Sequence, residues 1–483
     1  MRTASLCAFW VSLLAACDDA PATADTDAAT AMADAAAVQD GTPLSADAAV
    51  GTEAGMETDA SVVESGAQNI ILLISDDLGL DATECYAARD DAVSTPNIRA
   101  LCDAGVVFEH AWAMPICSPT RASMLTGRYP HRTGVGAPSG GDQPGIEPDE
   151  FTLPRALDAH PDLGYTHANI GKWHLSGRNN SGDDTPNRMG WGHFSGIIGG
   201  AVQDFYGWNK VVDGQQIYVE RYATTSLVDD AIAWLQQRDG PFVLWMAFNA
   251  PHTPYHVPPA GLHDQDLGPE GSCPAGRDLQ CYRAAIQAMD AEIGRLLNAL
   301  PSEVRARTNV IYLGDNGTPG GVAQSPFSRE RSKDSLYEGG ARVPFVIAGP
   351  AVVDGGRRVD APIDVTDVFA TILELAGVPA GAYVPEGTVV DSVSVVPYLR
   401  DPNQGPLRPW AMTQLLASNS RRTNVGKAVR DARFKLIRFA DGDELFYDLD
   451  VDPFEGEELL AAGALEGDAA QSYAALAAVL EGL

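Results

Sequence analysis

The sequence predicts an α/β protein with a doubly wound, mostly parallel central sheet flanked by helices, followed by a small C-terminal antiparallel sheet with a helix. Continuous apolar runs, which are typical of strands buried on both faces, alternate with helical patterns. Polar side chains follow the ends of these runs, and alternating strand patterns appear near the C-terminus. These observations together indicate the fold class.

Four apolar runs define the central sheet, and each leads into residues that can carry chemistry. The apolar run at 69–74 is followed by the polar segment 75–77, and the run at 166–170 is followed by 171–174. The run at 241–248 is followed by 249–252, and the run at 309–313 is followed by 314–317. Helical patterns at 224–237 and 282–299 separate them. Since ligands of open α/β sheets bind outside the carboxyl ends of the strands, we expect one site at that edge. At 433–438 and 445–449, alternation predicts the strands of the small sheet, and a helix follows at 471–483.

The first 67 residues are expected to lie outside this fold. Residues 1–17 contain Arg2, a short apolar run and Leu-Ala-Ala before Cys17, the pattern of a bacterial lipoprotein signal. We expect export and a lipid on Cys17 that anchors the protein in the bacterial cell envelope, at the periplasm or the cell surface; a plain cleaved signal is the alternative. Residues 18–67 lack aromatic and basic side chains and predict a disordered acidic tether. A catalytic domain at 68–391 and a C-terminal subdomain at 392–483 complete the predicted organisation.

The charge balance excludes one class of partner. With 33 basic and 65 acidic residues, the net charge is −32, and no basic stripe is present that would bind nucleic acid. Many of the acids lie in the predicted tether, so a polyanionic substrate stays possible for the folded part.

A single cysteine lies in the stretch PICSPTRASMLTGR at 115–128. We expect a helix to begin just after Cys117 and to end at Gly127, and helix N-terminal amides lower the pKa of a thiol. Arg121, one turn further, can hold an oxyanion; a buried core cysteine is the alternative. The other cysteines of the predicted domain can pair as neighbours in sequence, with connectivity left open: Cys85, Cys102, Cys273 and Cys281.

Polar residues after the strands fall into two groups. Those with only hard oxygen ligands, which suit Ca²⁺ or Mg²⁺ and not zinc, are Asp76, Asp77, Asp315 and Asn316. Those that supply positive charge and titratable protons for a tetrahedral oxyanion are Lys172, His174, His252 and Lys333. The alternatives are that His174 is a core histidine and that Lys172 is solvated. The side chains of Lys172 and His174 lie on one edge only if their segment is extended.

The ordered set of motifs resembles the type I sulfatases, the arylsulfatase-like, formylglycine-dependent enzymes of the alkaline-phosphatase-like superfamily. The matching segments are 117–121 (Cys-Ser-Pro-Thr-Arg), 171–174, 251–254, 314–317, and Lys333 with 337–340. The resemblance extends from Asn69 into the C-terminal segments 431–437 and 444–449. Two departures are the absence of a glycine after Tyr86 and the unmatched stretch 261–281.

The resemblance implies hydrolysis of a sulfate monoester, of an aryl or a carbohydrate alcohol. It implies that a formylglycine-generating maturation enzyme oxidises Cys117 to Cα-formylglycine. One hydroxyl of the hydrated aldehyde then attacks sulfur, and the other expels sulfate from the covalent ester.

Roles carry over from the family residue by residue. The resemblance implies a bound Ca²⁺, in preference to Mg²⁺. Its ligands would be residue 117 together with Asp76, Asp77, Asp315 and Asn316. Arg121 and Lys172 would stabilise the diol and the sulfate, and His174 would take the proton that drives elimination. His252 and Lys333 would contact the sulfate and protonate the leaving alcohol.

Three alternatives stay open at this point. A phosphonate monoester or phosphodiester hydrolase of the same superfamily can carry the same cysteine motif. A catalytically silent, surface-tethered binding protein on this scaffold is the second, and an unmodified metal-bound thiol nucleophile is the third.

Overall fold

The computed structural model describes residues 68–86, 91–379, 381–417 and 425–483. The expected signal at 1–17 and tether at 18–67 lie outside the described residues and stay predictions. Within the described ranges, no helix combines the length and apolar character that a bilayer crossing needs.

Strands of the described residues form one large sheet and two smaller ones. In chain order they are β1 (Asn69–Ser75), β2 (Val106–Trp112), β3 (Thr166–Lys172), β4 (His193–Ile197), β5 (Trp208–Val212), β6 (Gln215–Val219), β7 (Phe242–Ala247), β8 (His256–Val257), β9 (Gly271–Ser272), β10 (Thr308–Gly314), β11 (Phe345–Ala348), β12 (Arg357–Asp364), β13 (Ala411–Leu415), β14 (Gly426–Arg430), β15 (Phe434–Phe439) and β16 (Glu444–Asp448). The large sheet has the order β12-β2-β11-β10-β1-β7-β3-β4-β5-β6. Only β11 and β5 run antiparallel to both of their neighbours there, so the sheet is mostly parallel, as predicted.

Helices cover both faces of the large sheet, and the last described helix packs against a smaller sheet. Their bounds are α1 (Pro96–Ala104), α2 (Cys117–Thr126), α3 (Pro130–Thr133), α4 (Leu153–Asp158), α5 (Thr185–Arg188), α6 (Ala223–Leu235), α7 (Asp278–Asn298), α8 (Ser302–Arg305), α9 (Glu338–Ala341), α10 (Asp367–Leu375), α11 (Val396–Arg400) and α12 (Gly467–Gly482).

Strand β1 shows why the sheet is doubly wound. Successive side chains of a strand point to opposite faces. Accordingly, Ile70 and Leu72 join the core that contains Met124 of α2, while Ile71 joins the core that contains Ile286 of α7. The predicted fold class is confirmed, and the four predicted runs are strands with small shifts at their ends.

The predicted C-terminal sheet is also present. Strands β13 to β16 pair antiparallel in sequence order, and α12 packs against them through Leu476 and Leu480. The helix begins at Gly467, earlier than its apolar pattern suggested. The domain boundary near 392 stays a prediction, since α11 packs in the same core as α10.

Two disulfides join the cysteine pairs that are close in sequence. Cys85 pairs with Cys102, and Cys273 pairs with Cys281. The second bridge lies in the stretch 261–281, where β9 pairs with β8. Among the described cysteines, Cys117 remains a free thiol and is buried.

Candidate active site

The carboxyl ends of four adjacent parallel strands present polar residues at one edge of the sheet. In the order β10-β1-β7-β3, β10 leads into Asp315, β1 leads into Asp76, β7 precedes His252, and β3 ends on Lys172. The pairing is in parallel register throughout, so these strand ends lie side by side. The structure therefore brings together residues that are far apart in the sequence.

Helix α2 places Cys117 at this edge. Cys117 is the first residue of the helix, and Gly127 ends the helix with a φ of 69°, the left-handed conformation that glycine adopts freely. The thiol donates to Oδ1 of Asp76 at 3.5 Å, and Nζ of Lys333 lies 3.7 Å from the sulfur. One ligand atom each from Asp76, Asp77, Cys117 and His252 lie within 4.8 Å of one another.

Two buried ion pairs lie beside the thiol. Nζ of Lys172 is 2.6 Å from Oδ2 of Asp76, and both side chains are fully buried. Arg121 donates to Oδ2 of Asp315 through Nε at 3.1 Å and Nη2 at 2.7 Å, and its Nη1 donates to the carbonyl of Lys172 at 2.8 Å. The solvated position considered for Lys172 is therefore wrong, and Arg121 links two of the strand ends.

Asp77 is the centre of a third set of contacts. Its Oδ1 accepts hydrogen bonds from Nδ2 of Asn316 at 2.8 Å and from Nζ of Lys333. Nε2 of His252 lies 3.7 Å from its Oδ2. The main chain of Asp77 has a φ of 70°, and its N–H donates to Oδ1 of Asp315 at 3.1 Å.

The two central carboxylates have opposite pKa shifts. Burial alone would raise the pKa of Asp76, but the surrounding cations, Lys172 first, hold it below its ordinary value. Burial raises the pKa of Asp315, and the negative charge of Asp76 adds to the increase. Asp315 is thus the carboxylate of this pair that holds a proton more readily.

The thiol of Cys117 behaves differently from the sequence-based expectation. A helix N-terminus was expected to lower its pKa, but burial raises the pKa to about 12, and the charge of Asp315 contributes in the same direction. Removal from water outweighs the helix dipole and the nearby lysines here. The unmodified thiol is therefore protonated at neutral pH.

His174 takes an unexpected backbone conformation. An extended segment was required for Lys172 and His174 to share an edge, but strand β3 ends at Lys172, and His174 has a φ of 57°. Burial, with Lys172 and Arg121 nearby, lowers the pKa of His174 well below its usual value. Its Nδ1 is buried and has no hydrogen-bond partner among the described residues. The ring is neutral at pH 7 and can accept a proton.

The donor set fits a hard divalent cation. Asp76, Asp77, Asp315 and Asn316 provide carboxylate and amide oxygens, all buried. Oδ1 of Asn316 has no hydrogen-bond partner within the described ranges, although a buried polar atom usually has one. A cation bound by oxygen ligands would supply that partner.

Tyr282 and Gly200 lie at this edge and escaped the sequence-based analysis, and Asn249 entered it only as part of the segment 249–252. Tyr282 donates to the carbonyl of Asp77 at 2.8 Å, and a Cβ added to Gly200 would lie 2.6 Å from Nε2 of His174. Asn249 is buried, and neither polar atom of its amide has a partner in the described part of the chain. The roles of these residues depend on contacts that form only when the chain folds. No local sequence motif marks such contacts, so the sequence alone gives no signal for them.

Comparison with family models gives two matches. The model described as "Sulfatase" matches residues 68–378, and the model described as "N-sulphoglucosamine sulphohydrolase, C-terminal" matches residues 331–476. The first match covers the central sheet and every candidate site residue named above, and the second covers the C-terminal segments 431–437 and 444–449.

Individual proteins give a consistent result. The chain is 27% identical over 398 residues to the ulvan-active sulfatase of Formosa agariphila, covering 77% of this chain and 73% of the relative. A solved structure of BT4656 in complex with its substrate D-glucosamine-2-N,6-O-disulfate has a TM-score of 0.67 at 22% identity, covering 86% of this chain and 97% of that one. The phosphonate monoester hydrolase of Agrobacterium radiobacter also shares the fold, with a TM-score of 0.63, 21% identity and coverage of 86% and 95%.

Proposed function

Because the chain belongs to the sulfatase family and is a sulfuric ester hydrolase, we propose that it cleaves sulfate monoesters through a covalent sulfate ester on residue 117, beside a bound Ca²⁺. The observation that carries the proposal is the position of Cys117. Its sulfur is adjacent to Asp76 and Lys333, at the edge where the oxygen ligands and the cations meet. A reacting group there has both charge neutralisation and proton donors within reach.

We propose that a maturation enzyme converts Cys117 to Cα-formylglycine. The hydrated aldehyde would supply one hydroxyl to attack sulfur and a second hydroxyl whose deprotonation releases sulfate. Ser118 supports this part of the helix, since its hydroxyl donates to the carbonyl of His174 at 2.8 Å and accepts from the N–H of Ser139 at 2.9 Å.

Ca²⁺ would be held by Asp76, Asp77, Asp315 and Asn316, whose oxygens suit it better than the smaller and more strictly octahedral Mg²⁺. When bound, the ion would offset negative charge on the sulfate oxygens. Lys172 and Lys333 supply further positive charge from the chain itself, so the site can hold a negatively charged, tetrahedral sulfate group.

Proton transfers follow from the remaining side chains. Asp315, whose pKa is raised by burial, is suited to take the proton of the attacking hydroxyl while Arg121 holds its other oxygen. His174, neutral at pH 7, would take the proton whose removal drives release of sulfate. His252, 18% exposed, and Lys333 lie on the accessible side and would protonate the leaving alcohol.

We propose a sulfated carbohydrate as the substrate class. The support comes from the relatives: BT4656 was crystallised with a sulfated glucosamine described as its substrate, and the chain resembles it along most of its length. Comparing turnover of a sulfated glucosamine with turnover of an aryl sulfate tests this class, and faster turnover of the aryl sulfate would contradict it.

Export and lipid attachment at Cys17 belong to the proposal as well, supported by the pattern at 1–17. Metabolic labelling with a fatty-acid analogue tests them. Label is expected on the wild-type protein and not on a Cys17→Ala variant, and an unlabelled wild-type protein would contradict lipid attachment.

Rates on matched esters test the activity. The purified protein, matured in its native host, is offered a sulfate monoester, a phosphonate monoester and a phosphodiester of the same alcohol, with Cys117→Ala as the control. We expect the sulfate ester to be turned over fastest and the control to be inactive. Faster turnover of the phosphonate or phosphodiester would contradict the proposal, and metal binding without turnover of any ester would favour the binding-protein alternative.

A further inference from the structure

We infer that Tyr282, together with Thr318, is a positioning residue that fixes the turn after β1 and thereby sets the affinity of the site for its divalent cation. The inference rests on the proposed metal, and neither residue is among the proposed ligands. Both act through the main chain of residues 77–79.

The turn needs support because Asp77 has an unfavourable backbone conformation. Its φ of 70° lies in the left-handed region, which a residue with a side chain keeps only where its surroundings hold it there. The carboxylate of Asp77 has to face Asn316 and Lys333, so a small rotation of this main chain would move a proposed metal ligand away from the others.

Tyr282 supplies the first support. It lies in α7, its side chain is fully buried, and its hydroxyl donates to the carbonyl oxygen of Asp77 at 2.8 Å. The bond joins residues that are 205 positions apart, and it ties the turn to a long helix.

Thr318 supplies the second support from the segment after β10. Its Oγ1 accepts the N–H of Gly79 at 3.1 Å and donates to Oδ1 of Asp81 at 2.6 Å. The same oxygen lies 3.4 Å from the hydroxyl of Tyr282. The turn is therefore held at its carbonyl by one residue and at an N–H two positions later by the other.

Loss of either support should weaken metal binding while leaving the ligands in the chain. Outer partners of metal ligands typically contribute about 10–100-fold in metal affinity. We expect Tyr282→Phe, which removes one oxygen atom, to weaken calcium binding about tenfold, and Thr318→Val to weaken it to a similar extent.

Calorimetric titration of chelator-stripped protein with calcium chloride tests the inference. The matched control is Tyr86→Phe, because the Tyr86 hydroxyl is also buried and lies 2.8 Å from a main-chain oxygen, that of Phe345, away from Asp77. The control should lose thermal stability to a similar degree and keep wild-type calcium affinity. Tyr282→Phe should regain wild-type kcat on a sulfate ester once calcium is saturating.

The outcomes separate the inference from the proposed function. Wild-type calcium affinity in both Tyr282→Phe and Thr318→Val would overturn the inference, as would an equal loss of affinity in Tyr86→Phe. If Tyr282→Phe does not fold, Thr318→Val decides alone. A wild-type protein that binds no calcium would overturn the proposed metal and the inference together, whereas an inactive protein with the predicted affinity differences would overturn only the proposed activity.

Discussion

Replacing Lys435 by methionine should destabilise the protein strongly, because Lys435 is a fully buried cation between two buried acids. Its Nζ lies 3.1 Å from Oε1 of Glu338 and 2.7 Å from Oε1 of Glu455, and it also lies 4.6 Å from the centre of the Trp112 ring. Glu338 begins α9, and Lys435 belongs to β15, so the cluster joins the segment that carries Lys333 to the C-terminal sheet.

The magnitude follows from what the lysine leaves behind. Removing one partner of a buried ion pair costs about 3–5 kcal/mol, since the other charge stays unpaired away from water. Here two carboxylates lose their shared partner, and the contact with Trp112 adds about 0.5–2 kcal/mol. Arg430, whose Nη1 lies 3.9 Å from Glu338, offsets part of this cost. We expect Lys435→Met to lower the free energy of unfolding by about 3–5 kcal/mol.

Urea unfolding measures the effect against a matched control. Lys427→Met on the neighbouring strand β14 removes a partly buried lysine without an ion pair among the described contacts, and should change stability by about 0.5 kcal/mol or less. The double variant Lys435→Met/Glu455→Gln should recover part of the loss, because one stranded charge is removed. Stability of Lys435→Met within about 1 kcal/mol of wild type would show that Lys435 is not needed to offset the two buried acids.

Three other predictions concern the site and the pH dependence of stability. His174→Gln should lower kcat on the order of 10²–10⁴-fold and let the sulfated form of residue 117 accumulate, which intact-protein mass spectrometry detects; unchanged kcat would contradict its role as a base. Stripping the protein with a chelator should abolish turnover and lower the melting temperature, and calcium at about 100 times its Kd should restore about 2.7 kcal/mol of stability; recovery with magnesium alone would contradict the choice of ion. Burial, with Arg430 and Arg342 nearby, lowers the pKa of His110 from 6.5 to about 3. Between pH 6.5 and 3, His110 is therefore protonated in the unfolded chain and neutral in the folded one. The free energy of unfolding should fall by about 1.4 kcal/mol for each pH unit as the pH decreases through this range. The difference in unfolding free energy between wild type and His110→Gln at pH 6.5 and 5 measures it, and a difference that does not change with pH would contradict the assignment.

The central sheet and the composition of the site were predictable because both have local signatures. The strand before Asp76 is apolar from residue 70 to 74, and the strand before Asp315 is apolar from residue 310 to 313. Such continuous runs are typical of strands buried on both faces. Parallel strands then bring their carboxyl ends together, so residues far apart in sequence could be assigned to one edge before any coordinates were known.

Properties that depend on three-dimensional neighbours were not predictable in this way. The pKa of Cys117 rises because of burial and because of Asp315, which lies nearly two hundred positions later in the chain. The left-handed backbone of His174 and the hydroxyl of Tyr282 beneath Asp77 likewise depend on packing partners that no local pattern specifies. The cluster around Lys435 is a further case, since its two glutamates come from separate segments.

The covalent mechanism is best tested by the mass of the tryptic peptide that spans residues 100–121, prepared under reducing conditions from protein made in the native host. Reduction opens the disulfide of Cys102, and the peptide then carries Cys117 in one of two chemical forms. We expect a mass in which the thiol of residue 117 has been replaced by the aldehyde of formylglycine. An unmodified Cys117, from a host that matures its other sulfatases, would contradict the covalent mechanism proposed here.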